Sequence, residues 1–190
     1  MDRMRTYGLI AVVAAIVIIA AIYIQYQNSD DEPKGMLKDT QSSALIIKTS
    51  FEVGDKHNFY DSTDGTIDEF VITAKDPNNP NMYTVNYNGY VTTKSYDDIK
   101  NFIAPSPDSY KSNSQSFTKD GSVVISTKQF GDIQCDQYTV TYGQDGETAG
   151  IVHYYFDGSG ILIKLDDVIP GSDYYEINSV LDDSTMVTKA

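Results

Sequence analysis

The chain predicts a mainly β fold, an antiparallel meander forming a half-barrel, barrel or sandwich with one short helix, preceded by one transmembrane helix. Three observations carry this. Short apolar alternations recur from Ala44 onward, separated by turn pairs such as Asn88-Gly89, Asp120-Gly121 and Pro170-Gly171. Between Ser95 and Ile103 the apolar spacing becomes helical, with Ile99, Phe102 and Ile103 on one face. Gly8 to Ile24 holds no charge at all, which sets it apart from everything that follows.

At the helical rise, Tyr7 to Tyr26 reaches about 30 Å, the hydrocarbon thickness of a bilayer. Arg3 and Arg5 precede this run, and Asp30, Asp31 and Glu32 follow it. Retained positive charge places residues 1–6 in the cytoplasm and the rest outside, with 7–26 as an uncleaved signal-anchor in the cell membrane. A cleaved signal peptide has a shorter apolar region and a small-x-small site, which Ile19-Ala20-Ala21 matches poorly. Residues 27–43, QNSDDEPKGMLKDTQSS, are polar and read as an acidic tether. Residues 44–190 are then one extracytoplasmic β-rich domain, long enough for a single core.

The 190 residues carry a net charge of −13, and beyond residue 26 there are 12 lysines and no arginine. Such a surface repels nucleic acid, so no nucleic-acid partner is expected. Aspartate outnumbers glutamate 22 to 5 and often lies beside glycine, asparagine or serine, which is turn chemistry. Cys135 is the single cysteine, so no internal disulfide can staple the domain.

Element by element, Ile46–Val53, Lys56–Tyr60 and Thr66–Ala74 are expected strands, with Asp61 to Gly65 turning between the last two. MYTVNY and YVTTKS flank Asn88-Gly89, a pair suited to the positive φ angles of a type I′ turn. That turn sets Tyr87 opposite Tyr90 and Val85 opposite Thr92. Ser95 with Asp98 three residues on reads as a helix N-cap, and Pro105 and Pro107 stop the helix. Residues 104–114 are expected as a polar loop. Asp120-Gly121 is expected to turn a second hairpin, with Phe117 opposite Val124. Asp132–Tyr142, Ile151–Phe156, Ile161–Leu165 and Tyr174–Leu181 complete the strands.

Pairing across Asp157–Gly160 sets Phe156 against Ile161, Tyr154 against Ile163 and Val152 against Leu165, with Cys135 across from Phe156. The opposite face then carries Tyr138, Val140, Tyr142, Ile151, His153 and Tyr155. A half-solvated sheet would show polar residues there, so both faces are expected to be covered. Tyr138, Tyr142, His153 and Tyr155 are the candidate ligand-binding residues. Their rings offer apolar area, and their polar tips can orient a protein partner or an apolar ligand.

No catalytic or metal-binding residues are assigned, and no cofactor is expected. On this register Cys135 and His153 project from opposite faces, which argues against a nucleophile–base pair. His57 reads as a surface residue. Asp61, Asp64, Asp68 and Glu69 cluster in sequence but fail the EF-hand spacing.

The anchor at 8–24, FEVGDKHNFY at 51–60, GDIQCDQYTVTY and IVHYYFDGSGILIKL at 131–165 together resemble archaeal membrane-anchored, uncharacterised β-rich cell-surface proteins. The strand–turn succession also resembles lipoprotein-carrier half-barrels, which hold acyl chains on a concave face. The first resemblance implies an extracytoplasmic location, and the second implies an apolar ligand. The reading is therefore a non-catalytic binding or cell-envelope module. A pilin-like filament subunit processed to begin at Leu9, and a hydrolase using Cys135, are the alternatives.

Overall fold

A computed structural model describes residues 44–144, 147–168 and 175–190. The expected transmembrane helix and tether lie outside these residues, as do the tips of the Gly143–Gly146 and Pro170-Gly171 turns. Among the described residues no helix is long and apolar enough to cross a membrane. The domain is mainly antiparallel β with one short α-helix, as the alternations predict.

Among the described residues, twelve strands form three sheets. Strands β1 (Leu45–Ile47) and β12 (Val187–Lys189) pair alone. Strands β4 (Phe70–Lys75), β5 (Met82–Tyr87) and β6 (Tyr90–Ser95) form a meander. The large sheet joins β2 (His57–Asp61), β3 (Ile67–Asp68), β7 (Ser116–Thr127), β8 (Gly131–Gln144), β9 (Glu147–Asp157), β10 (Leu162–Val168) and β11 (Tyr175–Ser184). Its spatial order is β3-β2-β11-β10-β9-β8-β7.

Local chemistry explains the elements that the sequence places well. Asn88 and Gly89 adopt φ of 48° and 87°, and the ladder pairs Tyr87 with Tyr90 and Val85 with Thr92. Helix α1 (Tyr96–Ile103) opens on a reciprocal cap: Asp98 N–H donates to Ser95 Oγ at 3.1 Å, and Ser95 N–H donates to Asp98 Oδ2 at 2.9 Å. Ile99 and Ile103 are buried, and Phe102 stacks on Phe70 with ring centroids 4.6 Å apart.

Three expectations are corrected. Leu45–Ile47 is the strand in place of Ile46–Val53, since Phe51 turns into the core and the chain bends around Asp55. Residues Pro107–Asn113 form a 3₁₀ segment inside the expected loop. Asp120-Gly121 does not turn a hairpin. It is a bulge within one twelve-residue strand, where the register slips between Lys119 and Gly121, and the chain reverses instead between Thr127 and Gly131. A glycine after an aspartate suits either device, because both can use a residue that tolerates positive φ. Here Gly121 has φ 143°.

The large sheet has two covered faces. On its inner face Phe59, Ile133, Cys135, Tyr155, Ile163 and Leu181 join a core with Phe51, Phe70, Ile72, Tyr83 and Val85 and with α1. On its outer face Val140, Val152, Tyr154, Phe156, Leu162 and Leu165 form a second cluster. The sheet also curls. Strands β7 and β11 lie four places apart, about 19 Å if the sheet were flat. Yet Gln129, in the turn after β7, donates Nε2–H to Ser184 O at 3.0 Å and accepts Ser184 N–H on Oε1 at 2.6 Å. Lys128 reaches Asp182 at 2.9 Å. Only a rolled sheet brings these groups together, although among the described residues β3 and β7 do not pair to close it.

Candidate functional site

The registers of β9 with β8 and with β10 decide which side chains share a face. Asp157 N–H bonds Ile161 O at 2.9 Å, so the closing pair is Asp157 with Ile161, one residue later than the sequence suggests. Gly160 takes φ 82° to complete a three-residue loop. The buried Asp157 carboxylate locks this turn by accepting Ser159 N–H at 2.9 Å, Ile161 N–H at 2.8 Å and Leu45 N–H at 2.8 Å. Phe156 therefore faces Leu162, and a bulge before Lys164 sets Tyr155 against Lys164 and Tyr154 against Leu165. A one-residue slip exchanges faces. Across β8, Tyr138 pairs with Tyr154, Thr139 with His153 and Cys135 with Asp157.

The four candidate residues consequently divide between the faces. Tyr138 and Tyr142 are on the outer face, and His153 and Tyr155 on the inner one.

Outward, Tyr138 and Tyr142 belong to a continuous aromatic patch. Tyr110, carried by the 3₁₀ segment, stacks on Tyr154 at 4.1 Å. Phe117 lies 5.3 Å from Tyr138, and Tyr138 meets Phe156 edge-on at 5.8 Å. Tyr154 and Phe156 are buried, whereas Tyr110, Phe117, Tyr138 and Tyr142 are half-buried. The Tyr142 and Tyr154 hydroxyls sit 3.2 Å apart. Burial pushes the phenols of Tyr110, Tyr142 and Tyr154 upward, so they stay neutral hydrogen-bonding groups. Lys111 lies over Phe117 at 4.9 Å and Lys119 over Tyr138 at 5.8 Å, which places two cations at the margin.

Inward, His153 and Tyr155 sit on a polar belt crossing the sheet. Thr139 Oγ1 donates to Asp120 Oδ2 at 2.5 Å and lies 2.8 Å from His153 Nδ1. The Gln137 amide nitrogen lies 3.5 Å from the same ring nitrogen. Across the ladder His153 faces Asp166, which in turn faces Asn178. Tyr155 donates its hydroxyl to Asp166 Oδ2 at 2.9 Å, and Lys164 Nζ lies 2.8 Å from Asp166 Oδ1. Asp166 is only 2% exposed, with the Lys164 ammonium as its counter-charge and the Tyr155 phenol as a hydrogen-bond donor. This arrangement orders the sheet: Asp166 Oδ2 accepts from both Tyr155 and Lys164, while the buried Oδ1 meets only the Lys164 ammonium as an ion pair.

Cys135 and His153 share the inner face, contrary to the expected register. They stand four residues apart along the ladder, about 13 Å by strand rise, so no thiol–imidazole bond forms. Burial pushes the Cys135 thiol far up, and the side chain is sealed. His57 is also placed differently from expectation. It is wholly buried against Phe59, with Nδ1 2.8 Å from Ser184 Oγ, and burial lowers its pKa to about 3. Both members of that pair are sealed, which denies them a substrate. The Asp61–Glu69 cluster does turn work: Asp61 accepts Thr63 N–H at 2.6 Å, and Asp64 accepts Thr66 N–H at 2.9 Å. Among the described residues no group of three His, Cys, Asp or Glu side chains is placed to hold a metal.

A groove of about 380 Å³ lies between β1, α1 and the Asp157–Gly160 turn, lined by Leu45, Ile47, Tyr96, Lys100, Ser159 and Ile161. None of the four candidate residues lines it. No family model, curated protein or solved structure matches the chain.

Proposed function

We propose that this protein is a single-pass, membrane-anchored extracytoplasmic module of the cell envelope. It binds a protein partner through the outer aromatic face bearing Tyr138 and Tyr142, without catalysis. The observation that carries this reading is the half-buried quartet Tyr110, Phe117, Tyr138 and Tyr142, spread over an already filled apolar layer. Rigid aromatic rings with neutral hydroxyls supply contact area at low entropic cost. A protein suits this face better than an apolar small molecule, because Tyr110 already occupies the space above Tyr154. Lys111 and Lys119 at the margin are paired with Asp108 and Asp136, so the rim of this face carries matched charges in a chain that is otherwise strongly negative. Arg3 and Arg5 before the apolar run, and acidic residues after it, support the outward orientation. The sealed thiol and its distance from His153 count against a hydrolase.

Photo-cross-linking in intact cells tests the binding face. Benzoylphenylalanine at Tyr138 should yield discrete protein adducts that weaken when Phe117→Ala or Tyr142→Ala is added. The same probe at Tyr90, remote and 70% exposed, should not give them. No adduct at Tyr138, or the same adducts at Tyr90, contradicts the proposed face.

A further inference from the structure

Strand β7 is the outermost strand of the large sheet, and among the described residues it pairs on one side only, with β8. An unpaired strand edge presents a row of backbone N–H and C=O groups ready to accept another strand. The other free edges are poorer acceptors. Strand β3 has two residues, β1 and β12 have three each, and β4 and β6 have six each and carry Lys75 and Lys94. Beyond its bulge, β7 runs regularly from Gly121 to Thr127 as GSVVIST, rich in β-branched residues and free of charge in a chain of net charge −13. Val123 and Ile125 pack inward on the core, while Val124 points outward and is 53% exposed.

We infer that two copies of this chain join through β7, pairing antiparallel about a twofold axis at Val124, so that two seven-stranded sheets become one. The segment is self-complementary about that residue. Ser122 meets Ser126, Val123 meets Ile125, and Val124 meets its twin, each with a side chain of its own kind on the same face. Two copies of so acidic a chain repel one another, and this stretch of strand brings no charged side chain of its own to the contact. The bulge at Asp120 ends the pairing on one side and the turn at Lys128 ends it on the other, which limits the contact to one strand and one partner.

Site-directed disulfide formation in membranes carrying the full chain tests this pairing and its register. Val124→Cys should shift to twice its apparent mass on a non-reducing gel after mild oxidation, while the wild type, whose Cys135 is sealed, stays monomeric. Ser122→Cys and Ser126→Cys should each remain monomeric alone, because their twins lie about 13 Å away along the strand. Mixed in one membrane they should cross-link several-fold more. A Val124→Cys chain that stays monomeric, or a Ser122→Cys chain that dimerises alone as readily as the mixed pair, overturns the inference.

Discussion

His57 has a pH signature that follows from its burial. Its imidazole is fully enclosed and held neutral, with a pKa lowered to about 3 from an ordinary 6.5. The unfolded chain therefore binds a proton below pH 6.5 that the folded chain refuses. Stability must then fall as pH drops from 6.5 towards 3, by at most about 1.4 kcal/mol per pH unit from this group. His57→Gln, which cannot take up that proton, should show a shallower fall, the two curves converging by up to roughly 3 kcal/mol between pH 7 and 4 in urea unfolding. Parallel curves would remove the assignment. Single residues were the least legible part of this sequence. Nothing in KHNFY distinguishes a surface histidine from a buried one, because the decision belongs to Phe59, Phe102 and Ser184, which are close only after folding. The same holds for Asp157. Its neighbours announce a turn, but its bond to Leu45 N–H spans 112 residues.

Elements with self-contained chemistry were legible in full. The Asn88-Gly89 hairpin and the Ser95 cap depend on residues within a few positions of each other, and both adopt the expected register. The cap makes a measurable contribution: Ser95→Ala should lower stability by about 1 kcal/mol in chemical denaturation. Ser95→Thr should recover most of that loss, since its hydroxyl can accept the Asp98 N–H and donate to the Asp98 carboxylate as serine does. Register is where inference from sequence failed. A one-residue slip in the β8–β9 ladder, where Cys135 pairs with Asp157 and not with Phe156, moves Tyr138 and Tyr142 to the face opposite His153 and Tyr155. Alternating apolar residues on both faces gave no polar marker to detect that slip, because Tyr154 and Tyr155 both suit a covered surface.

At the scale of the molecule, curvature holds the design together. Gln129 spans from the β7–β8 turn to Ser184, and its amide serves as a two-bond clip across the mouth of the rolled sheet. Gln129→Ala leaves the Ser184 N–H and C=O without that partner. It should cost about 1–3 kcal/mol, read as a lower urea midpoint. Gln129→Glu keeps one acceptor and should lose less. The antiparallel β class was legible from spacing, whereas the roll was not, since Gln129 and Ser184 lie 55 residues apart.

The outward orientation of this sheet is what the proposed binding role requires, and one labelling experiment addresses it. Asn78→Cys places a thiol in an exposed turn, while Cys135, wholly enclosed, gives no background in the folded chain. A membrane-impermeant maleimide added to intact cells should label Asn78→Cys as fully as it does after lysis. Labelling that appears only once the cells are opened would put the domain on the cytoplasmic side and contradict the role proposed for it.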